Sequence, residues 1–200
     1  MRSETFDFIS NFSTLWQVIL GAFLATCGGL VANQLEWRTL TRRRERNAAL
    51  FFGEVLSSFA LLLKRADETK KIGDPYGAIT LRVLRSARRE IDIYERNRES
   101  LLDLRDAGLR ARIHGLTIRL SLPLDGIADA AQEIGNLKAQ LRSRNLDERD
   151  REEFGARLAE ISERREAGYE FVLETAAEID GVLADLSPLA GHDFTHGSRF

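Results

Sequence analysis

The sequence predicts an all-α protein in which a single N-terminal transmembrane helix continues into an antiparallel four-helix bundle. Three observations lead to this fold class. One long stretch near the N-terminus has no charged residue, and the rest of the chain repeats apolar residues at steps of three and four, the period of an amphipathic helix. The 200 residues also include only three prolines and are rich in Ala, Leu, Arg and Glu, which favours long helices.

The membrane span is predicted from the absence of Asp, Glu, Lys and Arg between Phe8 and Leu35. A bilayer core of about 30 Å needs roughly 20 apolar residues in a helix, and Leu15–Leu35 meets that length. Trp16 and Trp37 stand where the aromatic rings of a membrane interface are expected. A secretory or lipoprotein signal is the weaker interpretation, because the leader is not basic and an arginine cluster follows the apolar stretch.

Charge on the two sides of the span predicts its orientation. The leader is slightly acidic, whereas the residues after the span include Arg38, Arg42, Arg43, Arg44 and Arg46. Lys and Arg flanks stay in the cytoplasm, so we place the N-terminus outside the plasma (inner) membrane and expect these arginines to meet anionic lipid. The predicted layout is an outer leader over 1–12, a transmembrane helix over 13–37, a cytoplasmic bundle over 38–187 and a flexible tail over 188–200.

Small residues recur along the span at helical spacing: Gly21, Ala25, Gly28, Gly29 and Ala32. This spacing lets two membrane helices approach closely, so the face is a candidate for helix packing in the membrane. The alternative is that Gly and Ala are simply common in membrane helices. Cys27 is the only cysteine, which excludes an intrachain disulfide, and the sequence leaves open whether it is modified.

The first cytoplasmic helix is predicted to follow the span without a break. Its apolar stripe consists of Phe52, Val55, Leu56, Phe59, Leu62, Leu63 and Ala66. We interpret this stripe as facing the core, because the alternative, a second span over Ala48–Leu63, is too short for a bilayer and contains Glu54.

A second helix is predicted after the break at Ile72–Gly77, with Asp74 as its cap and Pro75 at its first position, and it is expected to end near Arg105. The side chains expected to face the core are Ile79, Val83, Ala87, Ile91, Tyr94 and either Leu101 or Leu102. Another face holds Arg82, Arg85, Arg89 and Arg96. It is either a solvated surface, with Arg88–Asp92 and Asp92–Arg96 ion pairs, or a site for an anion or lipid headgroup.

The third helix has the most regular stripe and is predicted to begin after a turn at Asp106–Gly108. The stripe is Ile113, Leu116, Leu120, Leu124, Ile127, Ala131, Ile134, Leu137 and Leu141. Pro123 lies inside it and removes one helical hydrogen bond, so we predict a kink, but no break, at this position.

The last helix is predicted to begin at a capping box of Asn145 and Glu148 and to end at Ser187–Pro188. Its stripe comprises Phe154, Leu158, Ile161, Tyr169, Val172, Ala176, Ile179, Leu183 and Leu186. Arg165 interrupts this stripe, so we expect its side chain to extend outward or to pair with an acid.

Charge divides the chain into two halves. Residues 37–120 contain 19 Lys and Arg against 11 Asp and Glu, and residues 121–200 contain nine against 17. We expect the halves to neutralise each other by packing, or the basic half to lie near the anionic leaflet, and both can hold at once.

The sequence contains no signature of an enzyme, such as a nucleophile elbow or a phosphate-binding loop. His192 and His196 have the spacing of helical metal ligands but lack a third ligand. We therefore expect a non-enzymatic scaffold or accessory subunit that has no cofactor, does not bind nucleic acid, and contacts membrane lipids and either a protein partner or a second copy through coiled-coil-type packing. The alternative is a membrane-tethered signalling or regulatory bundle that responds to a small ligand or to its transmembrane helix.

Overall fold

The computed structural model describes the backbone of residues 4–143 and 147–194, and their side chains except those of 4–15, 17, 18, 31, 32 and 143. Every regular element in these ranges is helical, so the all-α prediction is confirmed. The α-helices are α1 (Glu4–Lys70), α2 (Ala78–Arg96), α3 (Ala107–Ser143), α4 (Glu148–Ala176) and α5 (Ile179–Ala190). A 3₁₀ helix, Arg98–Asp103, follows α2.

The chain divides into two compact units, Met1–Arg44 and Glu45–Phe200, and α1 contributes to both. In the first unit, the large apolar side chains from Trp16 to Trp37 that the structure describes are between 48% and 67% exposed. The polar Thr26 hydroxyl donates to the carbonyl of Ala22 at 2.8 Å, which satisfies it within the helix. One described helix is long and apolar enough to cross a membrane by length and composition.

In the second unit, the remainder of α1 is a core helix. The buried side chains of its apolar stripe are Phe52, Val55, Leu56, Phe59, Leu63 and Ala66, and only Leu62 of the predicted set is partly exposed. Because protein already covers the apolar side chains of this stretch, the structure favours the core-facing interpretation of Ala48–Leu63 over a second span.

Paired contacts give the direction of the helices in the second unit. The Arg46 side chain donates from Nε to the carbonyl of Ala190, whereas Lys70 pairs with Glu166, so this part of α1 runs antiparallel to α4 and α5. Between α3 and α4, Glu133 pairs with Arg157 at 2.6 Å and Gly168 lies beside Pro123 and Ile127, so these two helices also run antiparallel.

The contacts of α2 show the same antiparallel arrangement. The Tyr94 hydroxyl lies 3.1 Å from His114 Nδ1, and Arg88 Nε donates to Asp125 Oδ1 at 2.8 Å, so α2 runs antiparallel to α3. Packing of the basic half against the acidic half is confirmed by four ion pairs: Arg88–Asp125, Lys70–Glu166, Arg112–Asp185 and Arg119–Glu178.

The core is divided into a large cluster, shared by the helices of the second unit, and a small separate one. The small cluster contains Ala130, Ile134, Leu137 and Ile161, with Phe154 and Leu158 packed against it. All its residues belong to α3 and α4, so the far ends of these two helices form a hairpin with its own core.

The predicted start of α2 is wrong. The helix begins at Ala78, with Gly77 as its cap, because Asp74 is used in the preceding turn. The Asp74 carboxylate accepts from the Tyr76 N–H at 3.1 Å, and its carbonyl accepts from the Gly77 N–H at 2.9 Å. The helix also ends at Arg96 instead of near Arg105.

The residues that face the core on α2 and on the 3₁₀ helix after it differ in part from the set predicted for the second helix. Ala87, Ile91, Tyr94 and Leu101 are buried as expected, and Val83 is partly exposed. Ile79 is 69% exposed and Leu102 78%, while Thr80 and Leu84 are buried instead. The inward face is therefore shifted by one position at the start of α2.

The apolar stripe predicted for α3 is buried except at Ala131 and Leu141, which are partly exposed, and the helix begins at Ala107, inside the predicted turn. The Asp106 carboxylate accepts hydrogen bonds from the N–H groups of Gly108 and Leu109, as a helix cap does. The helix then continues through Pro123 to Ser143 without a break. A kink at Pro123 stays a prediction.

Both predicted ends of the last helix are wrong. Asp147 caps α4 by accepting from the Asp150 N–H at 2.8 Å, whereas the predicted cap, Asn145, lies outside the described residues. A short interruption separates α4 from α5, and α5 passes through Pro188 and ends at Ala190. Proline removes only one N–H there, and the helix stops where Gly191 adopts a left-handed conformation (φ 63°).

The chain folds back onto the core after α5. Phe194, which falls in the predicted flexible tail, is 4% exposed and belongs to the large cluster. Its ring lies on Gly53, where an added Cβ would be 2.1 Å from the ring. Residues 195–200 lie outside the described part of the chain.

Candidate functional site

A groove between α2 and α3 forms a cavity with a volume of about 540 Å³. Its apolar lining is Leu81 and Leu84 from α2, with Leu124, Ile127, Ala128 and Ala131 from α3. Ala128 and Ala131 leave the space open because their side chains end at Cβ. We call this cavity the α2–α3 groove.

Three arginines of α2 line this groove, and only one of them is paired with acidic side chains. Arg88 is held by Asp92 at 2.5 Å and by Asp125 at 2.8 Å. The hydrogen bond to Asp125 raises the pKa of Arg88, which keeps it charged and engaged. Arg85 and Arg89 are exposed, and among the described residues neither has a hydrogen-bond or ion-pair partner. We call these two the rim arginines.

The structure therefore places only two of the four predicted arginines at the groove. Arg85 and Arg89 line the groove, whereas Arg82 and Arg96 are exposed and lie outside its lining. The predicted Arg88–Asp92 pair is confirmed. Sequence reasoning missed the α3 wall of the groove, which no pattern within α2 could have indicated.

A second polar cluster lies where α1 ends beside α4. Glu166 accepts hydrogen bonds from Lys70 and from the Tyr76 hydroxyl. The Lys70 ammonium lies 4.2 Å from the ring centre of Tyr169, and the Arg165 guanidinium stacks 3.7 Å above the ring of Tyr76. Arg165 thus stacks on an aromatic ring, which differs from both arrangements expected from the sequence.

The protonation states in this cluster indicate a structural role. Burial raises the pKa of both Tyr76 and Tyr169, so their hydroxyls stay protonated. Burial opposes ionisation of Glu166, but the hydrogen bonds from Lys70 and Tyr76 hold its pKa below the usual value. These groups bind one another across the two helices, so we assign the cluster to fastening the end of α1 to α4.

The two histidines that the structure describes have aromatic neighbours. His114 lies beside Tyr94 in a small cavity of about 300 Å³, as a structural histidine would. The His192 ring meets Phe194 edge to face, with ring centres 4.9 Å apart, and His196 lies outside the described residues. No group of three or more His, Cys, Asp or Glu within the described ranges could hold a metal ion.

The candidate packing face of the span is open where it is described. A Cβ added at Gly21, Gly28 or Gly29 would meet no atom within 4 Å, and Ala25 is exposed. The side chain of Ala32 lies outside the described part.

The juxtamembrane arginines separate into two groups. Arg38, Arg42, Arg43 and Arg44 are exposed in the first unit. Arg46 belongs to the second unit, where it donates to the last carbonyl of α5 at 3.0 Å.

No family model, curated protein or solved structure matches this chain. The described residues include the α2–α3 groove with its rim arginines, the exposed apolar part of α1 and the polar cluster around Glu166.

Proposed function

We propose that this protein is a non-enzymatic, single-pass membrane-anchored scaffold or accessory subunit. One observation supports the anchor above all others: the large apolar side chains described between Trp16 and Trp37 lack protein cover. Exposed apolar surface on that scale is stable in lipid but not in water. The apolar stripe of residues 48–66, on the same helix, is buried within the second unit.

The proposed orientation places the N-terminus outside and the second unit in the cytoplasm of the plasma (inner) membrane. The support is the row of exposed arginines, Arg38 and Arg42–Arg44, directly after the apolar stretch. We further propose that the second unit is an antiparallel four-helix bundle. Its four runs would be 45–70, 78–103, 107–143 and 148–190, and the alternating contacts between neighbouring runs support it.

Reporter fusions at the C-terminus test the anchor and its orientation together. Alkaline phosphatase is active only after export and green fluorescent protein fluoresces only in the cytoplasm, so we expect fluorescence without phosphatase activity. We also expect the chain to stay in the membrane pellet after washing at high pH. Active phosphatase or a soluble full-length product would contradict the proposal.

A scaffold also needs a partner, and we propose that the small-residue face of the span contributes to binding it. Cross-linking in membranes should trap a second copy or another membrane protein. Gly21, Gly28 and Gly29 changed together to Leu should abolish the cross-link, because side chains would keep the two backbones apart. The matched control changes Leu20, Leu24 and Leu30 to Ile, which adds no bulk and should leave the cross-link intact.

A second candidate function is a regulatory bundle that responds to a small ligand. The observation that favours it is the α2–α3 groove, whose α3 wall includes Leu124 and Asp125, directly after Pro123. A ligand that separates α2 from α3 would act at the point where the proline weakens the third helix.

A further inference from the structure

We infer that the α2–α3 groove binds an amphiphilic anion, a molecule with one carboxylate or phosphate head and a short apolar body. This inference extends the proposed regulatory function by naming the class of ligand. Only the consequence of binding rests on that function. The binding site itself follows from three properties of the groove: unpaired cations at its rim, an apolar floor and a limited volume.

The head group is assigned by charge. The two acids of the lining, Asp92 and Asp125, are both bound by Arg88, which leaves the rim arginines without a counter-ion in the described structure. Arg85 and Arg89 are one helical turn apart, so their side chains are neighbours on the helix surface. A guanidinium binds a carboxylate or phosphate through paired hydrogen bonds, and two of them converge well on one anion.

The apolar body is assigned by the floor. Leu84, Leu124 and Ile127 reach the groove from the core, and Ala128 and Ala131 shape its far wall. A bare phosphate would leave this surface in water, while an uncharged apolar solute would leave the guanidinium groups unused. A ligand that satisfies both needs an anionic end and an apolar end.

The volume limits the ligand to a small molecule. Small-molecule pockets span about 300–1,000 Å³, and the groove lies inside that range at about 540 Å³. A single medium-length acyl chain with an anionic head has suitable chemistry and size. Decanoate is therefore a suitable probe.

Photolabelling of the full chain, reconstituted in nanodiscs of zwitterionic lipid, tests the site. The probe is decanoate with a diazirine near the end of its chain, and adducts are mapped by mass spectrometry after proteolysis. We expect saturable labelling in the segments 81–92 and 124–132. Unlabelled decanoate should compete, whereas inorganic phosphate and decanol should not compete at the same concentration.

Matched variants separate the site from general membrane partition. Arg85 and Arg89 changed together to Gln should raise the probe concentration for half-labelling about tenfold, because charge-assisted hydrogen bonds are lost. Arg82 and Arg96 changed together to Gln remove the same charge from the same helix and should leave labelling unchanged. Ala128→Trp should block labelling by filling the groove, with helical circular dichroism retained.

Two outcomes would overturn the inference. One is labelling of the segments 81–92 and 124–132 that does not saturate, or that a diazirine-bearing decanol reproduces equally. The other is equal labelling of the Arg85/Arg89 and Arg82/Arg96 double variants.

A separate measurement tests regulation, so that a failure of regulation can be distinguished from a failure of binding. In a Cys27→Ser background, cysteines at the exposed positions Ile79 and Asp129 accept spin labels on α2 and α3. A shifted distance distribution at saturating decanoate supports regulation. An unchanged distribution together with saturable labelling overturns the regulatory function and leaves the binding site supported.

Discussion

The Tyr76 hydroxyl donates a 2.6 Å hydrogen bond to Glu166 Oε2 and so joins the turn after α1 to the middle of α4. The same carboxylate accepts from Lys70 at the end of α1. One acid therefore holds two segments that lie about 90 residues away in the sequence. Its ionisation should be visible in the stability of the domain.

Glu166 should make the free energy of unfolding depend on pH. Its folded pKa is lowered, so its contribution is complete above the ordinary carboxyl pKa of 4.5 and is lost as the pH falls through the folded value. We expect Glu166→Gln to be less stable than wild type at pH 7 by about 1 kcal/mol or less, because the carboxylate is 43% exposed.

Chemical denaturation at pH 7 and pH 3 measures this difference. The gap between wild type and Glu166→Gln should narrow at the lower pH. Glu170→Gln, at an exposed position of the same helix, is the control and should show no gap at either pH. A gap of equal size at both pH values would contradict the assignment.

Gly53 and Phe194 should be energetically coupled. Gly53→Ala should destabilise the protein by about 1–3 kcal/mol, because the new Cβ collides with the Phe194 ring. In a Phe194→Ala background the same change should be neutral or stabilising, since Ala favours a helix over Gly by about 1 kcal/mol. Denaturant titration of the four proteins gives the coupling energy.

Gly155→Ala is the control for this cycle. A Cβ at this position on α4 meets nothing within 4 Å, so the variant should be more stable than wild type by about 0.5–1 kcal/mol. Additive effects of Gly53→Ala and Phe194→Ala would show that the ring does not lie on Gly53.

Asp147 should stabilise the start of α4. Its carboxylate accepts the N–H of Asp150, so Asp147→Ala should cost about 1 kcal/mol in thermal or denaturant unfolding. Asn145→Ala tests the cap that the sequence predicts and should be near neutral. The reverse order of the two effects would restore the predicted capping box.

Ile161 should control the stability of the hairpin end alone. It is buried in the small cluster formed by α3 and α4, so Ile161→Ala should speed amide hydrogen exchange over residues 130–161. Exchange within α1 over residues 48–66 should change far less. Uniform acceleration across the domain would show that the two clusters unfold as one.

The sequence was sufficient to predict the helices but not their ends. Periodicity over 30 or more residues averages many side chains, so the apolar stripe of α3 could be recognised in spite of the proline inside it. The end of a helix, in contrast, depends on the hydrogen bonds of a single carboxylate. Asp74 and Asp147 each accept a backbone N–H that the periodicity of the sequence does not indicate. The position of Phe194 depends on Gly53, about 140 residues away in the chain.

The candidate site was predictable to a similar extent. Spacing along α2 placed four arginines on one face, and the structure puts two of them, Arg85 and Arg89, at the groove. Which arginines remain unpaired depends on Asp125, and the depth of the groove depends on small residues of α3. Both are contributions of a neighbouring helix, which a single-helix pattern does not contain.

The separate core at the far end of α3 and α4 has a practical consequence. Because the small cluster shares no residue with the large one, a fluorescent protein or an affinity tag inserted between these two helices should leave the large cluster, including Phe194, intact. Single-molecule tracking in living cells could then follow the intact chain with both of its termini left free.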